Sequence, residues 1–397
     1  MTTSPLQGLK VLDLSRFIAG PHCAMLLGDM GADVIKIEKK GAGDDSRHFP
    51  PFQNGESLYS MALNRNKRSI TLNFRDKRAQ ELLREMVKTA DVLVENFRPG
   101  TMENMGCGWE DLRKINPRLI MTRLSGFGQN GPYSQRPGFD GIAQAMSGLM
   151  ELTGNPDGPP MLAGTFYIDY MSGMYATTAT LAALHAREKT GKGQMIDVAL
   201  LDSAVSMLTT AVSTQVNQGI TLTRTGNRDR YSSPANVFKT GSGDFILILS
   251  GTNPLFKRLA GAMGQPELTT DPRFADVGSR LKNASAIESI IQEWLGTLST
   301  EQALETISGA GVPCAKVASP AEVVRNPQLL HRKQIVEVEH PTAGRVAMSG
   351  VTMQLSENPL SIRRPPPSLG EHTGEVLREW LALSKEQIES LDKEGVL

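Results

Sequence analysis

The first third of the chain sets a rhythm that few folds can accommodate. Short apolar runs, "LKVLDLS" (9–15), "DVIKIEK" (33–39), "SITLNF" (69–74), "DVLVENF" (91–97) and "RLIMTRLSGFG" (118–128), alternate with helical patterns such as "AGPHCAMLLGDMGA" (19–32) and "KRAQELLREMVKTA" (77–90). Strands of this kind separated by helices predict a parallel sheet covered on both faces. With right-handed crossovers the outcome is a doubly wound, Rossmann-like α/β domain. A helix, "DYMSGMYATTATLAALHARE", then opens at Asp169, followed by a strand at 192–200 and a further helix. The texture changes after "RTGNRDRYSSPAN" (224–236). The expected organisation is a large domain over 1–224, a smaller α+β domain over 225–330, and a return segment over 331–397 that completes the large domain. That return carries a hairpin at 335–351, a rigid extended "RRPPP" (363–367) and a docking helix near the end.

Composition removes several classes of function. Forty-two basic and 42 acidic residues cancel, which argues against a general binder of nucleic acid or of membrane surfaces. Cys23, Cys107 and Cys314 are far apart and odd in number, so neither a disulfide framework nor a zinc cluster is expected. The histidines never cluster at ligand spacing, and no metal site is expected. No apolar run approaches the ~20 residues of a membrane helix, and the N-terminus has no signal-peptide pattern; a cytoplasmic protein is the expectation. GxxxxGKS/T, GxGxxG after the first strand, GxSxG and HExxH are all absent. A Rossmann-like sheet without its dinucleotide fingerprint argues against NAD.

What remains are the loops after the strands, where doubly wound folds bind ligands. "RFIAGP" (16–21) offers Ala19 and Gly20 for close approach at a helix N-terminus. Lys39 and Lys40 end the second strand, and Arg65, Lys67, Arg68 and Arg75 surround the third. Asn96 and Arg98 close the fourth, and the glycine-rich "LSGFGQNGPYSQRPGFD" (124–140) carries Arg136. Each cation alone reads as a solvated charge. Repeated at four strand ends, they suggest an extended polyphosphate ligand.

Asp169 is the other unusual feature. No basic side chain lies within ten positions of it in either direction, and its neighbours are aromatic, small or apolar. It is expected either to cap its helix, a role Asp favours, or to be a partly desolvated carboxylate acting as nucleophile or base. The two roles are compatible. Asp13 and Asp197 fall in strands and read as structural, while Asp140 reads as a helix cap or a loop brace.

Six stretches, taken in order, carry a resemblance over nearly the whole chain: "LKVLDLSRFIAGP", "LGDMGADVIKIEKKGAGDDSR", "NRNKRSITLNF", "DVLVENFRPGTMENMG", "LSGFGQNGPY" and the "DYMSGMYA" helix. The chain resembles the class III CoA-transferases, the group of formyl-CoA transferase and the carnitine-pathway CoA-transferase. The resemblance implies an interlocked homodimer, no tightly bound cofactor, and coenzyme A or acyl-CoA as substrate. It also implies that Asp169 is the covalent nucleophile, passing through a mixed anhydride and an aspartyl-CoA thioester. CoA would be held by Ile18, Ala19, Lys39, Leu72, Asn73, Phe74, Arg75, Asn96, Phe97, Arg98, Arg136, Pro137, Gly138 and Phe139. Backbone amides at Gly138–Phe139, or in "SGTN" (250–253), would receive the oxyanion. One departure is Asn104, where several relatives carry an Arg that helps hold nucleotide phosphate.

Two alternatives belong to other classes. A 2-methylacyl-CoA racemase would resemble the same fold, but it needs an acid–base pair with His in a "GHD" triplet; here the triplet is Gly138-Phe139-Asp140, and Phe cannot move protons. A non-catalytic CoA-binding protein would have no use for Asp169. The segment "GAGDDSRHFPPF" resembles members that act on small dicarboxylic acids, with succinyl-CoA or acetyl-CoA as donor. Arg47, with His48 or Arg16, is the expected partner of the acceptor's distal carboxylate.

Overall fold

The computed structural model describes residues 4–397. The larger of its two compact units comprises residues up to 149, 162–210 and 327–397. Its centre is a six-stranded sheet made of β1 (Lys10–Asp13), β2 (Asp33–Lys39), β3 (Lys67–Leu72), β4 (Val92–Glu95), β5 (Ile120–Ser125) and β6 (Met195–Ala199). All neighbouring pairs are parallel. The spatial order is β3-β2-β1-β4-β5-β6, the doubly wound arrangement whose direction of winding reverses between β1 and β4.

The strands read as near-continuous apolar runs because both faces are covered. Val11, Val34, Val92, Val94, Ile120 and Leu124 pack on one side with Cys23, Ala24 and Leu27 of α1 (Ala19–Asp29). Leu12, Ile35, Ile70, Leu93 and Met121 point the other way, onto α2 (Lys77–Val87) and the C-terminal residues Val376, Leu377 and Trp380. Along β1 the alternation is visible residue by residue, as period-2 geometry requires.

Two further helices shape the site: α3 (Asp140–Ser147) and α4 (Tyr167–Thr190). The small residues of α4 let it press against α1. A Cβ on Gly173 would lie 2.7 Å from the Ala19 carbonyl oxygen, so only glycine fits that crossing.

Beneath the strand ends lies a set of buried ion pairs. The Lys67 ammonium donates to Asp13 Oδ2 (2.8 Å), the Pro21 carbonyl (2.8 Å) and Asn64 Oδ1 (2.9 Å). Lys36 donates to Asp44 Oδ2 (2.9 Å) and to the Ser15 carbonyl (3.0 Å). Arg65 pairs with Asp29, both buried, whereas the buried Arg68 guanidinium meets the more exposed carboxylates of Asp33, Glu375 and Glu379. The cations around the third strand, suggested above as phosphate ligands, are therefore structural apart from Arg75.

The return segment forms the antiparallel hairpin Ile335–His340/Gly344–Ser349. The expected single docking helix is two, Thr373–Leu381 and Lys385–Lys393. Ala382 adopts a left-handed conformation (φ +55°), and Ser384 with Gln387 starts the second helix through a capping box.

The smaller unit comprises 150–161 and 211–326, where the change of texture suggests 225–330. Its outer segments are tied in by their own bonds: Gly226 donates to the Gly154 carbonyl and Arg224 pairs with Glu151. It holds an antiparallel three-stranded sheet, Cys314–Lys316, Phe245–Leu249 and Ala235–Lys239 in that order, backed by helices whose core includes Phe256, Ile287 and Ile291.

Removing the carboxylate of a buried pair strands its cation. Asp13→Ala is therefore expected to destabilise the fold by ~3–5 kcal/mol, read as a lowered midpoint in urea unfolding.

Candidate active site

Asp169 is the third residue of α4, not its cap. The capping position is Phe166, which offers no side-chain acceptor. That role is filled from another helix: Asp140, the first residue of α3, accepts from the backbone N–H groups of Ile168 (2.7 Å) and Asp169 (3.1 Å) through Oδ2. Its other oxygen accepts from the Gln144 amide, and Gln144 Oε1 accepts from the Ala163 N–H at 3.0 Å. Asp140 is thus a helix cap, as expected, but for the helix that carries Asp169.

Asp169 is 9% exposed, and its carboxylate accepts no hydrogen bond among the described residues. Every other buried acid except Asp140 has a basic partner: Asp13 has Lys67, Asp29 Arg65, Glu38 Arg47, Asp44 Lys36, Glu95 Arg123 and Glu288 Arg228. Burial, and secondarily the Asp140 carboxylate, push the Asp169 pKa up to about 7. A carboxylate of that acidity is more basic than an exposed one and remains available as an anion near neutral pH.

Asp169 lines a cavity at the point where the strand order reverses. Arg16, Phe17, Ile18 and Ala19 contribute from the end of β1, Asn96, Phe97 and Arg98 from the end of β4, and Arg136, Pro137, Gly138 and Phe139 from the long loop after β5. A second cavity of about 630 Å³ brings together Lys39, Leu72, Asn73, Phe74 and Arg75, and shares Arg16 and Phe97 with the first. The residues assigned by resemblance to CoA thus line two cavities with common walls.

Local chemistry explains why these loops hold their shape. Asn96 Oδ1 accepts from the Arg16 N–H (2.8 Å) while its amide donates to the Arg16 carbonyl (2.7 Å), so its side chain braces the β1 loop. Phe17 adopts φ +62°, uncommon for a residue with a side chain, and its N–H donates to Asp44 at 3.2 Å. Asp44 is itself held by Lys36. The loop after β5 crosses itself at Gly126 and Gly138, where a Cβ on either would fall 2.8 Å from the other's Cα. Arg136 stacks over Tyr133 at 3.9 Å. Lys39, Arg75, Arg98 and Arg136 are exposed and form no ion pair among the described residues.

Arg47 and His48 are placed differently from expectation. Arg47 makes two 2.7 Å bonds to Glu38, donates to the Pro367 carbonyl, and lines neither cavity. His48 Nε2 faces the Ala42 carbonyl at 2.8 Å. Local acids and the proline-rich return occupy Arg47, leaving Arg16 as the member of that trio beside Asp169. Arg16 pairs with Asp45 at 2.8 Å, with both side chains about half exposed. Asn104 is exposed at the end of a short helix, Thr101–Asn104.

The sequence offered no hint of an aromatic chain near Asp169. Phe139 meets Phe17 edge-on (5.6 Å), and Phe17, Phe49, Tyr59 and Phe166 continue at 5.6–6.3 Å spacings. Burial, then the Asp169 carboxylate, push the Tyr59 hydroxyl up to about 12. These rings come from separate segments, so no periodicity connects them.

Comparison with known proteins gives a consistent answer. The family model described as CoA-transferase family III matches residues 6–373. The chain is 36% identical to the succinyl-CoA–D-citramalate CoA-transferase of Chloroflexus aurantiacus over 99% of this chain and 98% of that protein. It is 40% identical to the succinyl-CoA–L-malate CoA-transferase β subunit of the same organism, over 100% and 99%. A CAIB/BAIF family protein from Brucella suis has the same fold, with a TM-score of 0.85 and 34% identity over 95% of this chain and all of that one.

The acidity of Asp169 carries a stability consequence whose sign is fixed. Its folded pKa lies above the ordinary 3.8, so the fold favours the neutral acid and loses stability as pH rises from about 4 through about 7. Asp169→Asn, neutral at all pH values, should match the wild type near pH 4 and exceed it near pH 8 by up to ~4 kcal/mol, as measured by denaturant unfolding at the two pH values.

Proposed function

The chain belongs to CoA-transferase family III, and on that footing we propose that it moves CoA from succinyl-CoA or acetyl-CoA to a small dicarboxylic acid, with Asp169 as covalent nucleophile. One observation carries the reading: among the described residues, the buried acid Asp169 has neither basic partner nor hydrogen-bond donor on its carboxylate, and it opens into the cavity at the sheet's switch point.

In the proposed sequence, an Asp169 oxygen attacks the thioester carbonyl, the C–S bond breaks, and CoA leaves as thiolate. The thiolate attacks the Asp169 carbonyl carbon of the anhydride, releasing the donor acid as carboxylate and forming an aspartyl-CoA thioester. An acceptor carboxylate then attacks that thioester and expels the thiolate. Attack of the thiolate on the acceptor's acyl carbon yields the new acyl-CoA and restores the Asp169 carboxylate. No electrons change hands, and a carboxylate is both attacking and leaving group. These intermediates hydrolyse readily, so a cavity walled by Phe17, Ile18, Phe97 and Phe139 suits them. Backbone amides at Gly138–Phe139 are the proposed oxyanion donors. Lys39, Arg75, Arg98 and Arg136 are the proposed partners of the CoA phosphates. Phe139 stands where a racemase would need its His. The interlocked homodimer implied by the resemblance remains part of the proposal.

For the acceptor, relatives named for D-citramalate and L-malate support a short diacid. Arg16 is the cation proposed for its distal carboxylate. An exposed ion pair such as Arg16–Asp45 is worth only ~0–1 kcal/mol, so a substrate carboxylate can replace Asp45.

Three measurements test this reading. Incubation with acyl-CoA and hydroxylamine should leave a hydroxamate on the Asp169 peptide by mass spectrometry, and Asp169→Ala should lose at least ~10³-fold in kcat; an unlabelled peptide with full activity in the variant removes the reading. Because the attacking form is the anion, kcat/KM for the donor should fall about tenfold per pH unit below about 7 and level off above it. Separately, Arg16→Ala should raise KM for diacids at least ~10-fold more than for monocarboxylic acids; equal effects would exclude Arg16 from acceptor binding.

A further inference from the structure

Taking Asp169 as the nucleophile, on which this inference rests, we infer that Asp140 is its positioning residue: a carboxylate from a neighbouring helix that occupies the amides at the start of α4 and thereby keeps Asp169 reactive. The first turn of a helix presents unsatisfied N–H groups, and the residue before it ordinarily supplies an oxygen to the second or third of them. Phe166 cannot. The second and third N–H groups, those of Ile168 and Asp169, go instead to one oxygen of Asp140. Gln144, one turn further along α3, holds the other oxygen and also binds the Ala163 N–H. Two side chains on one helix thus pin both the entry to α4 and its first turn.

The arrangement determines which acid profits from the helix terminus. Positive potential at a helix N-terminus stabilises a nearby carboxylate as an anion and dulls it as a base. Here the amides are taken by Asp140, and its negative charge faces Asp169 as well. The Asp169 carboxylate accepts no hydrogen bond among the described residues, and like-charge repulsion works with burial to favour its protonated form. The other titratable groups facing it are Tyr170 on α4, Tyr59 from the Leu58–Met61 turn, and the cavity cations Arg16, Arg98 and Arg136; His22 of α1 lies behind, against the Tyr170 carbonyl at 3.2 Å. Of these acids and bases, only Asp140 is bonded to the nucleophile's own backbone.

A structural cap and a charge that tunes the nucleophile predict different pH profiles. In Asp140→Asn the side chain still offers an acceptor but no charge. The acid limb of kcat/KM for the acyl-CoA donor should move about one pH unit lower than in the wild type, with a reduced plateau. Asp140→Ser, a neutral residue that caps helices well, should shift the limb in the same direction and serves where Asn does not fold. Asp140→Glu should keep the wild-type limb. A neutral variant whose acid limb coincides with that of the wild type overturns the inference. Hydroxylamine trapping on wild-type Asp169 runs alongside: an unlabelled Asp169 would mean that the nucleophile assignment has failed, whereas a labelled Asp169 with an unmoved limb would mean that only the role of Asp140 has.

Discussion

A buried carboxylate without a counter-charge among the described residues is the group around which this site is arranged. Burying an ion costs several kcal/mol unless it is paired, and the buried acids other than Asp140 and Asp169 meet that condition. Lys67 meets Asp13, Lys36 meets Asp44 and Arg47 meets Glu38, all under the same strand ends. Asp169 is left out, and its one charged backbone neighbour, Asp140, has the same sign.

Those ion pairs account for the shape of the cavity. The loop after β1 holds its conformation at Phe17 because Asp44 grips its N–H and Lys36 grips Asp44. Asn96 brackets the residue before it on both sides of the backbone. Polar residues that look like ligands in the sequence are often the mounting of a ligand site instead. Lys39, Arg75, Arg98 and Arg136 are exposed and left unpaired among the described residues, where an extended polyanion can reach them.

Much of the architecture was legible in advance because its signals are local. Short β-rich runs between amphipathic helices specify a parallel sheet, and the order β3-β2-β1-β4-β5-β6 is the product of its winding. The isolation of Asp169 among apolar neighbours was equally plain. What the sequence hid was pairing at a distance. Arg65 finds Asp29 and Arg68 finds Glu379 from far along the chain, and no local pattern separates them from Arg98, which stays free. Arg47 misled for the same reason, since its partners include Glu38 and the carbonyl of Pro367. The cap on α4 comes from α3, so inspection of the residues before Asp169 finds only Phe166. The smaller unit's edges were displaced because 150–161 and 211–224 join it through bonds between segments remote in sequence.

The crossing of Gly126 and Gly138 has an evolutionary corollary. A loop that enters and leaves through one narrow neck transmits little of its own length to the helix beyond it. Residues can be gained or lost between the two glycines while Phe139, Asp140 and the start of α3 keep their register. The length of the appendage is then free to drift, with the start of α3 and its Asp140 shielded from that drift by a neck that tolerates no side chain.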